Sequence, residues 1–229
     1  VRDGDGDTST APISFTITDA NVPTAGQTLA SVDDDALAGG NPASTTGDLA
    51  DPNSDGDNDQ ATFSGLLNLN FGGDGAGSVN FAAISGQFVT VGQESVQVVW
   101  DDLTNILTGS GPRGPLFTVE VTNPATGDYK VTLLANVLHN AGGDENDATV
   151  NLGFTVTDSD GSFANGSLRI TFDDDAPTVT ANLAQPTLTV DESNLGTDAS
   201  LSFASVFTPT FGADGAGANP ATYSLGITA

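Results

Sequence analysis

The chain contains neither cysteine nor methionine. Disulfides, thiolate metal sites and thiol nucleophiles are therefore excluded, and a domain that needs a staple has bound metal as its obvious substitute. Positive charge is almost as scarce. Four Lys and Arg stand against 30 Asp and Glu, a formal net charge of −26. Such a balance opposes binding to nucleic acid and to anionic lipid, both polyanions, and it suits divalent cations. The lone histidine, with no cysteine beside it, leaves most nucleophilic triads without a base. No apolar run approaches the ~18 residues of a membrane span, so no membrane insertion is expected. No secretory leader opens the sequence, which starts and stops in mid-phrase, as a piece of something longer would. G-x-S-x-G is absent. Residues 109–114, GSGPRG, match G-x-G-x-x-G formally, but Pro115 and an apolar strand follow, and no helix N-terminus is offered to a phosphate. Paired carboxylates for glycoside cleavage have nothing to single them out among so many, and an enzyme is not expected.

What the chain has in quantity is turn formers and short apolar runs. Glycine at 28 and proline at 11 punctuate stretches of Val, Leu, Ile, Phe and Ala that make up a modest apolar share of 37%. Residues 13–18 (ISFTIT), 66–71, 79–84, 87–91, 96–100, 117–122, 129–135, 150–157 and 168–172 alternate or run apolar between Gly, Pro, Asn and Asp. They predict short strands. NPATGDY, residues 123–129, predicts a hairpin turn. The expected fold class is all-β, an antiparallel Ig-like β-sandwich with little helix. Residues 101–107 (DDLTNIL) alone suggest a helical turn, with Asp101 as its N-cap. Trp100 is read as core rather than as a ligand platform.

The sequence repeats itself. VRDGDGD, residues 1–7, aligns with VTDSDGS, residues 156–162, at an offset of 155, and residues 63–77 align with residues 203–217 at an offset of 140 through the shared phrase FGxDGAG. An extra acidic loop in the first copy, residues 38–60, explains the difference between the offsets. The expected organisation is the end of one repeat over residues 1–24, a complete repeat over 25–178, and the start of another over 179–229.

Acidic clusters fall at the ends of the predicted strands. Calcium takes six to eight oxygens, supplied by short loops in which Asp and Asn alternate and Gly allows a sharp bend. Four places have that form: Asp3, Asp5 and Asp7 in DGDGD; Asp158 and Asp160 in DSDG; Asp51, Asn53, Asp55, Asp57 and Asp59 in DPNSDGDND; and the triplet Asp173, Asp174 and Asp175 that closes a strand before Pro177. The third loop lacks the terminal Glu and the flanking helices of an EF-hand. Because DSDG precedes one predicted strand and the triplet follows it, the two clusters are expected at opposite ends of a sheet, where stacked domains would meet. Asp74 and Asp214, in the two FGxDGAG phrases, are weaker candidates. Residues 139–149 hold the only histidine. They read either as a metal loop through Asp144, Glu145 and Asp147, or as a polar loop whose His139 packs locally.

FGGDGAGSV, TGDYKVTLLANVLHNAGGDENDATVNLGFTVTDSDGS and LRITFDDDAPTV resemble the recurring phrases of the repeat domains of giant RTX adhesins, exported by type I secretion from Gram-negative bacteria. The resemblance covers nearly the whole chain, and the extra loop departs from the compact form of that repeat. It implies a secreted, cell-surface fibre for adhesion and biofilm formation, built of β-sandwiches made rigid by several structural Ca²⁺ ions. The expected role is that of a scaffold unit whose partner is the neighbouring adhesin domain. The alternative is a module near the fibre tip that binds a peptide or carbohydrate ligand through Ca²⁺, motivated by the acidic insertion, DDLTNIL and Trp100.

Overall fold

A computed structural model describes residues 1–16, 22–41, 60–140, 142, 146–182, 187–189, 191–194, 196 and 198–223. Its strands are β1 (Thr24–Ala25), β2 (Gln27–Asp33), β3 (Thr62–Leu66), β4 (Leu69–Asn70), β5 (Ala76–Asn80), β6 (Phe88–Val91), β7 (Glu94–Asp101), β8 (Ile106–Gly111), β9 (Gly114–Asn123), β10 (Asp128–Leu133), β11 (Ala148–Asp158), β12 (Phe163–Asp173), β13 (Thr178–Ala181) and β14 (Phe207–Thr210). Among the described residues, helix amounts to two 3-10 turns, Ala82–Ile84 and Ala204–Val206, and no helix is long and apolar enough to cross a membrane.

Two sheets form a sandwich. One has six antiparallel strands in the order β3-β10-β9-β8-β7-β6, and the other four in the order β2-β12-β11-β5. Period-two alternation decides what faces inward: Val96, Val98 and Trp100 on β7 and Val150, Leu152, Phe154 and Val156 on β11 are buried. The sheets meet through aromatic rings, with Phe117 of β9 against Phe172 of β12 at 5.4 Å and Phe81 between Trp100 and Phe154 at 5.8 and 6.0 Å. Trp100 is core, and its Nε1 donates to Asp102 Oδ1 at 2.6 Å.

The all-β class holds, with one departure from antiparallel pairing. β2 lies parallel to β12, in the register Leu168 with Thr28 through Asp173 with Asp33. Other local expectations change too. Residues 101–107 make no helix: they carry the chain from β7 into β8, which pairs with it antiparallel. Asp101 Oδ1 accepts from the Leu103 amide at 2.9 Å, and Asn105 takes φ 56°, so the aspartate closes a turn instead of capping a helix. Residues 79–84 bend after Asn80 into a 3-10 turn. GSGPRG is the β8–β9 hairpin, with Gly114 at φ 120°. Residues 13–16 belong to no sheet, and Ile13 and Phe15 are exposed, because no strand among the described residues covers them as β2 and β11 cover their counterpart in β12.

The sequence repeat is also a structural one. Thr24 pairs with Asn70 in β1–β4, and Thr178 with Thr210 in β13–β14. Each threonine follows a proline, and each partner stands one residue before Phe-Gly-x-Asp-Gly.

Candidate metal centre

Because β2 and β12 run parallel in register, the triplets that follow them emerge together at one end of the sheet. Asp33, Asp34, Asp35, Asp173 and Asp175 are all at most 5% exposed. Backbone amides orient the cluster. Asp33 Oδ1 accepts from the Asp35 amide at 2.8 Å, and the Asn41 amide reaches Asp175 Oδ2 at 2.9 Å and Asp35 Oδ1 at 3.3 Å. Asn41 Nδ2 donates to Ala176 O and Thr178 Oγ1 at 3.0 and 3.1 Å, which fastens the start of β13. The Ala213 amide donates to Asp175 Oδ2 at 2.7 Å. That contact explains the glycine of FGADGAG: Gly212 takes φ 74°, and a Cβ there would lie 2.4 Å from the Asp175 carboxyl group.

His139 joins the same end. Its Nε2 lies 3.3 Å from Phe172 O; its Nδ1 lies 2.9 Å from Asp174 Oδ1 and 3.9 Å from Asp34 Oδ2. The Val137 amide donates to Asp34 Oδ2 at 3.3 Å, and the Asn146 amide to Asp174 Oδ2 at 3.2 Å. The segment bearing His139 is tied down by Arg113, whose guanidinium grips Glu94 at 2.7 and 3.0 Å and Asn136 Oδ1 at 3.0 Å. Asn136 Nδ2 donates to Asp214. One of the four basic residues is thus used to position this end of the sandwich against the FGADGAG turn.

The charges here are poorly balanced. Burial pushes the Asp35 carboxyl up to about 8, aided by a hydrogen bond shared with Asp175 and by the charges of Asp175 and Asp33. Burial pushes Asp34 up to about 7; His139 opposes the rise, and Asp214 and Asp174 add to it. For His139, burial favours the neutral ring, but Asp174 and Asp34 outweigh it and leave its pKa raised. Asp34 Oδ1 and Asp175 Oδ1 are buried without a hydrogen-bond partner among the described residues. Such oxygens carry a desolvation cost that a bound cation would remove.

A second acidic group lies at the opposite end of β12. That strand has 11 residues, which at ~3.3 Å per residue separates the two ends by roughly 35 Å. Asp74 comes to Asp158 and Asp160 there, with one ligand atom from each within 4.8 Å of the others. Asp158 Oδ1 accepts from the Gly161 amide at 3.0 Å, while its buried Oδ2 has no hydrogen-bond partner among the described residues. The Ser159 amide donates to Gly75 O at 3.1 Å. The FGGDGAG turn crosses so closely that a Cβ on Gly77 would lie 2.2 Å from Asp158 O. Asp3, Asp5 and Asp7 group in the same way but are exposed. Their turn copies the Asp158 turn: Gly6 and Gly161 take φ 108° and 103°, and Asp3 N bonds to Asp7 O as Asp158 N does to Ser162 O, each at 3.0 Å.

The structure therefore joins Asp158 and Asp160 with Asp74, and Asp173 to Asp175 with a second triplet. Asp51, Asn53, Asp55, Asp57, Asp59 and Asp144 lie outside the described residues. Asp147 is exposed and enters no such group among them. Among the described residues, the His139 ring meets Asp34 and Asp174; Asp144 and Glu145 of its own loop lie outside them. Sequence reasoning missed Asp33, Asp34 and Asp35, although VDDDA beside FDDDA was a readable signal.

The family described as a domain of unknown function (DUF5801) matches residues 30–171 and 187–229. No curated protein and no solved structure matches the chain.

Proposed function

For this chain, which belongs to the DUF5801 family, we propose a structural role: it is a calcium-bound scaffold unit of a large bacterial surface adhesin, and its partner is the neighbouring unit. The observation that carries this reading is the burial of Asp33, Asp35, Asp173 and Asp175 at the end of the sandwich from which the next repeat begins. Asp34 lies with these four, and the five carboxylates, each at most 5% exposed, would repel one another strongly if all were ionised. An all-oxygen donor set suits a hard cation, and Ca²⁺ accepts the irregular geometry that such loops provide. Asp175 already binds the Ala213 amide of the following repeat, so an ion held here would stiffen the junction as well as the unit. Asp74, Asp158 and Asp160 offer a second oxygen set at the far end, which suits head-to-tail stacking.

The cavity of about 1190 Å³ beside this junction does not favour ligand recognition. Phe203, Phe207 and Phe211 on its wall are the counterparts of Phe63, Leu67 and Phe71, which pack in or against the core of the first repeat. Its apolar lining is therefore that of a sandwich interior.

Thermal unfolding in millimolar Ca²⁺ and in EGTA tests the proposal. An ion at 100 times its dissociation constant stabilises by ~2.7 kcal/mol, which for a domain of this size raises Tm by roughly 5–10 °C. Equal melting in the two conditions would remove the calcium role.

A further inference from the structure

We propose that His139, Asp34 and Asp174 form a separate centre for a borderline divalent transition-metal ion, of which Zn²⁺ is the natural probe, beside the all-oxygen calcium cluster. The imidazole sets the donor chemistry. Its Nε2 lies 3.3 Å from Phe172 O, a carbonyl that can only accept, so Nε2 carries hydrogen. In the neutral ring Nδ1 is then a lone pair. That lone pair is buried and faces two carboxylates, Asp174 Oδ1 at 2.9 Å and Asp34 Oδ2 at 3.9 Å, yet among the described residues Nδ1 makes no hydrogen bond of acceptable direction. Three electron-rich atoms converge, and a cation completes the set: the proton that the two carboxylates favour on the ring, or a metal ion in that proton's place.

The spacing fits such an ion. Zinc bonds of about 2.0–2.2 Å to nitrogen and carboxylate oxygen place two donors about 3.4 Å apart across a tetrahedral centre, and the observed 2.9 and 3.9 Å bracket that value. The outer contacts are those that orient ligands in such sites: Phe172 O fixes the tautomer, the Val137 amide holds Asp34, and the Asn146 amide holds Asp174. Among the described residues, Asp34 Oδ1 remains buried without a hydrogen-bond partner. An imidazole donor is what separates this set from its neighbour, because nitrogen favours zinc-like ions over calcium. This inference does not rest on the calcium reading.

The test uses the full chain, stripped of metal and then dialysed against millimolar Ca²⁺ with limiting Zn²⁺. One Zn²⁺ per chain is expected to stay bound, with an imidazole nitrogen in its X-ray absorption spectrum. Loss of an outer partner costs about 10–100-fold in affinity, so His139→Gln, which removes a direct ligand, is expected to weaken retention more than about 100-fold. Asp174→Asn, which keeps the ring, should also weaken it. The Ca²⁺-dependent rise in Tm, measured on the same samples, reports folding and judges the calcium reading separately. Zinc retained without any calcium effect would still support this centre. Failure of the native chain to hold Zn²⁺ against Ca²⁺, an all-oxygen spectrum, or undiminished retention by a folded His139→Gln protein would overturn it.

Discussion

At the scale of single residues, the acidic end behaves differently with and without metal, and the difference has a sign. The raised pKa values of Asp34 and Asp35, about 7 and about 8, mean that the metal-free folded state holds protons more tightly than the unfolded chain, whose carboxylates titrate near ~4. Stability from these groups is complete below that value and is lost as pH rises toward the folded values. His139, also raised, contributes in the same direction. Metal-free protein is therefore expected to melt at progressively lower temperature between about pH 4 and about pH 8, and Ca²⁺ should flatten that slope by replacing the protons. The carboxylates held below their usual range, Asp3, Asp101, Asp160 and Asp191, are exposed and act only at more acid pH. Asp35→Asn separates repulsion from ligation. In EGTA at neutral pH it should leave Tm unchanged or raise it, because an amide sits buried beside Asp175 without having to take up a proton. In Ca²⁺ it should forfeit most of the ion-induced rise. Calorimetry of both proteins in both buffers checks the pair of outcomes.

At the scale of elements, two features hold the site in place. β12 is buried on its inner face through Leu168, Ile170 and Phe172, each 0% exposed, and it sits between β2 and β11. Phe172→Ala would empty the position against Phe117, at an expected cost of about 3–5 kcal/mol, and would also disturb the triplet that follows it. Urea unfolding should show this as a lower midpoint. The other feature is the β8–β9 hairpin, which reaches the His139 segment through Arg113. Arg113→Ala leaves Glu94, 6% exposed, without its ion partner. A fully buried pair so broken costs ~3–5 kcal/mol. Because Arg113 is 38% exposed, the expected loss is smaller, about 1–2 kcal/mol, and chemical denaturation of the two proteins measures it. Hydrogen exchange at residues 134–140 should rise in this variant, because its anchor to Asn136 is gone.

At the scale of the whole molecule, a few polar bonds among the described residues tie β13 and the FGADGAG turn to the larger sandwich. Asn41 reaches Ala176 and Thr178, Ala213 reaches Asp175, and Asn136 reaches Asp214. All converge on the proposed calcium cluster. Chelation should therefore loosen the β13–β14 pair before it unfolds the larger sandwich. Amide exchange in EGTA is expected to accelerate over residues 178–181 and 207–210 while β7, β9 and β11 stay protected. Uniform acceleration throughout would mean that the ions support the sandwich itself rather than its junction.

Much of this was legible in the sequence. The alternation in residues 96–100 and 150–157 determined buried and exposed faces, because period-two spacing reports which side of a strand each residue takes. The paired phrases determined the repeat, down to matching glycine conformations at Gly6 and Gly161. The acidic turns were visible as turns. What only the tertiary structure decided was neighbourhood. Gln27–Asp33 alternates weakly and gives no sign that it lies parallel to β12, yet that pairing brings two aspartate triplets to one sheet end. The stretch from His139 offered Asp144, Glu145 and Asp147 as nearby partners, yet the carboxylates that the ring meets, Asp34 and Asp174, arrive from distant strands. Asp74 met Asp158 because a Gly-rich turn can cross a hairpin at backbone contact distance. Local pattern encodes which face of a strand is wet or dry, whereas burial of a carboxylate depends on which distant segments close over it, and only packing determines that.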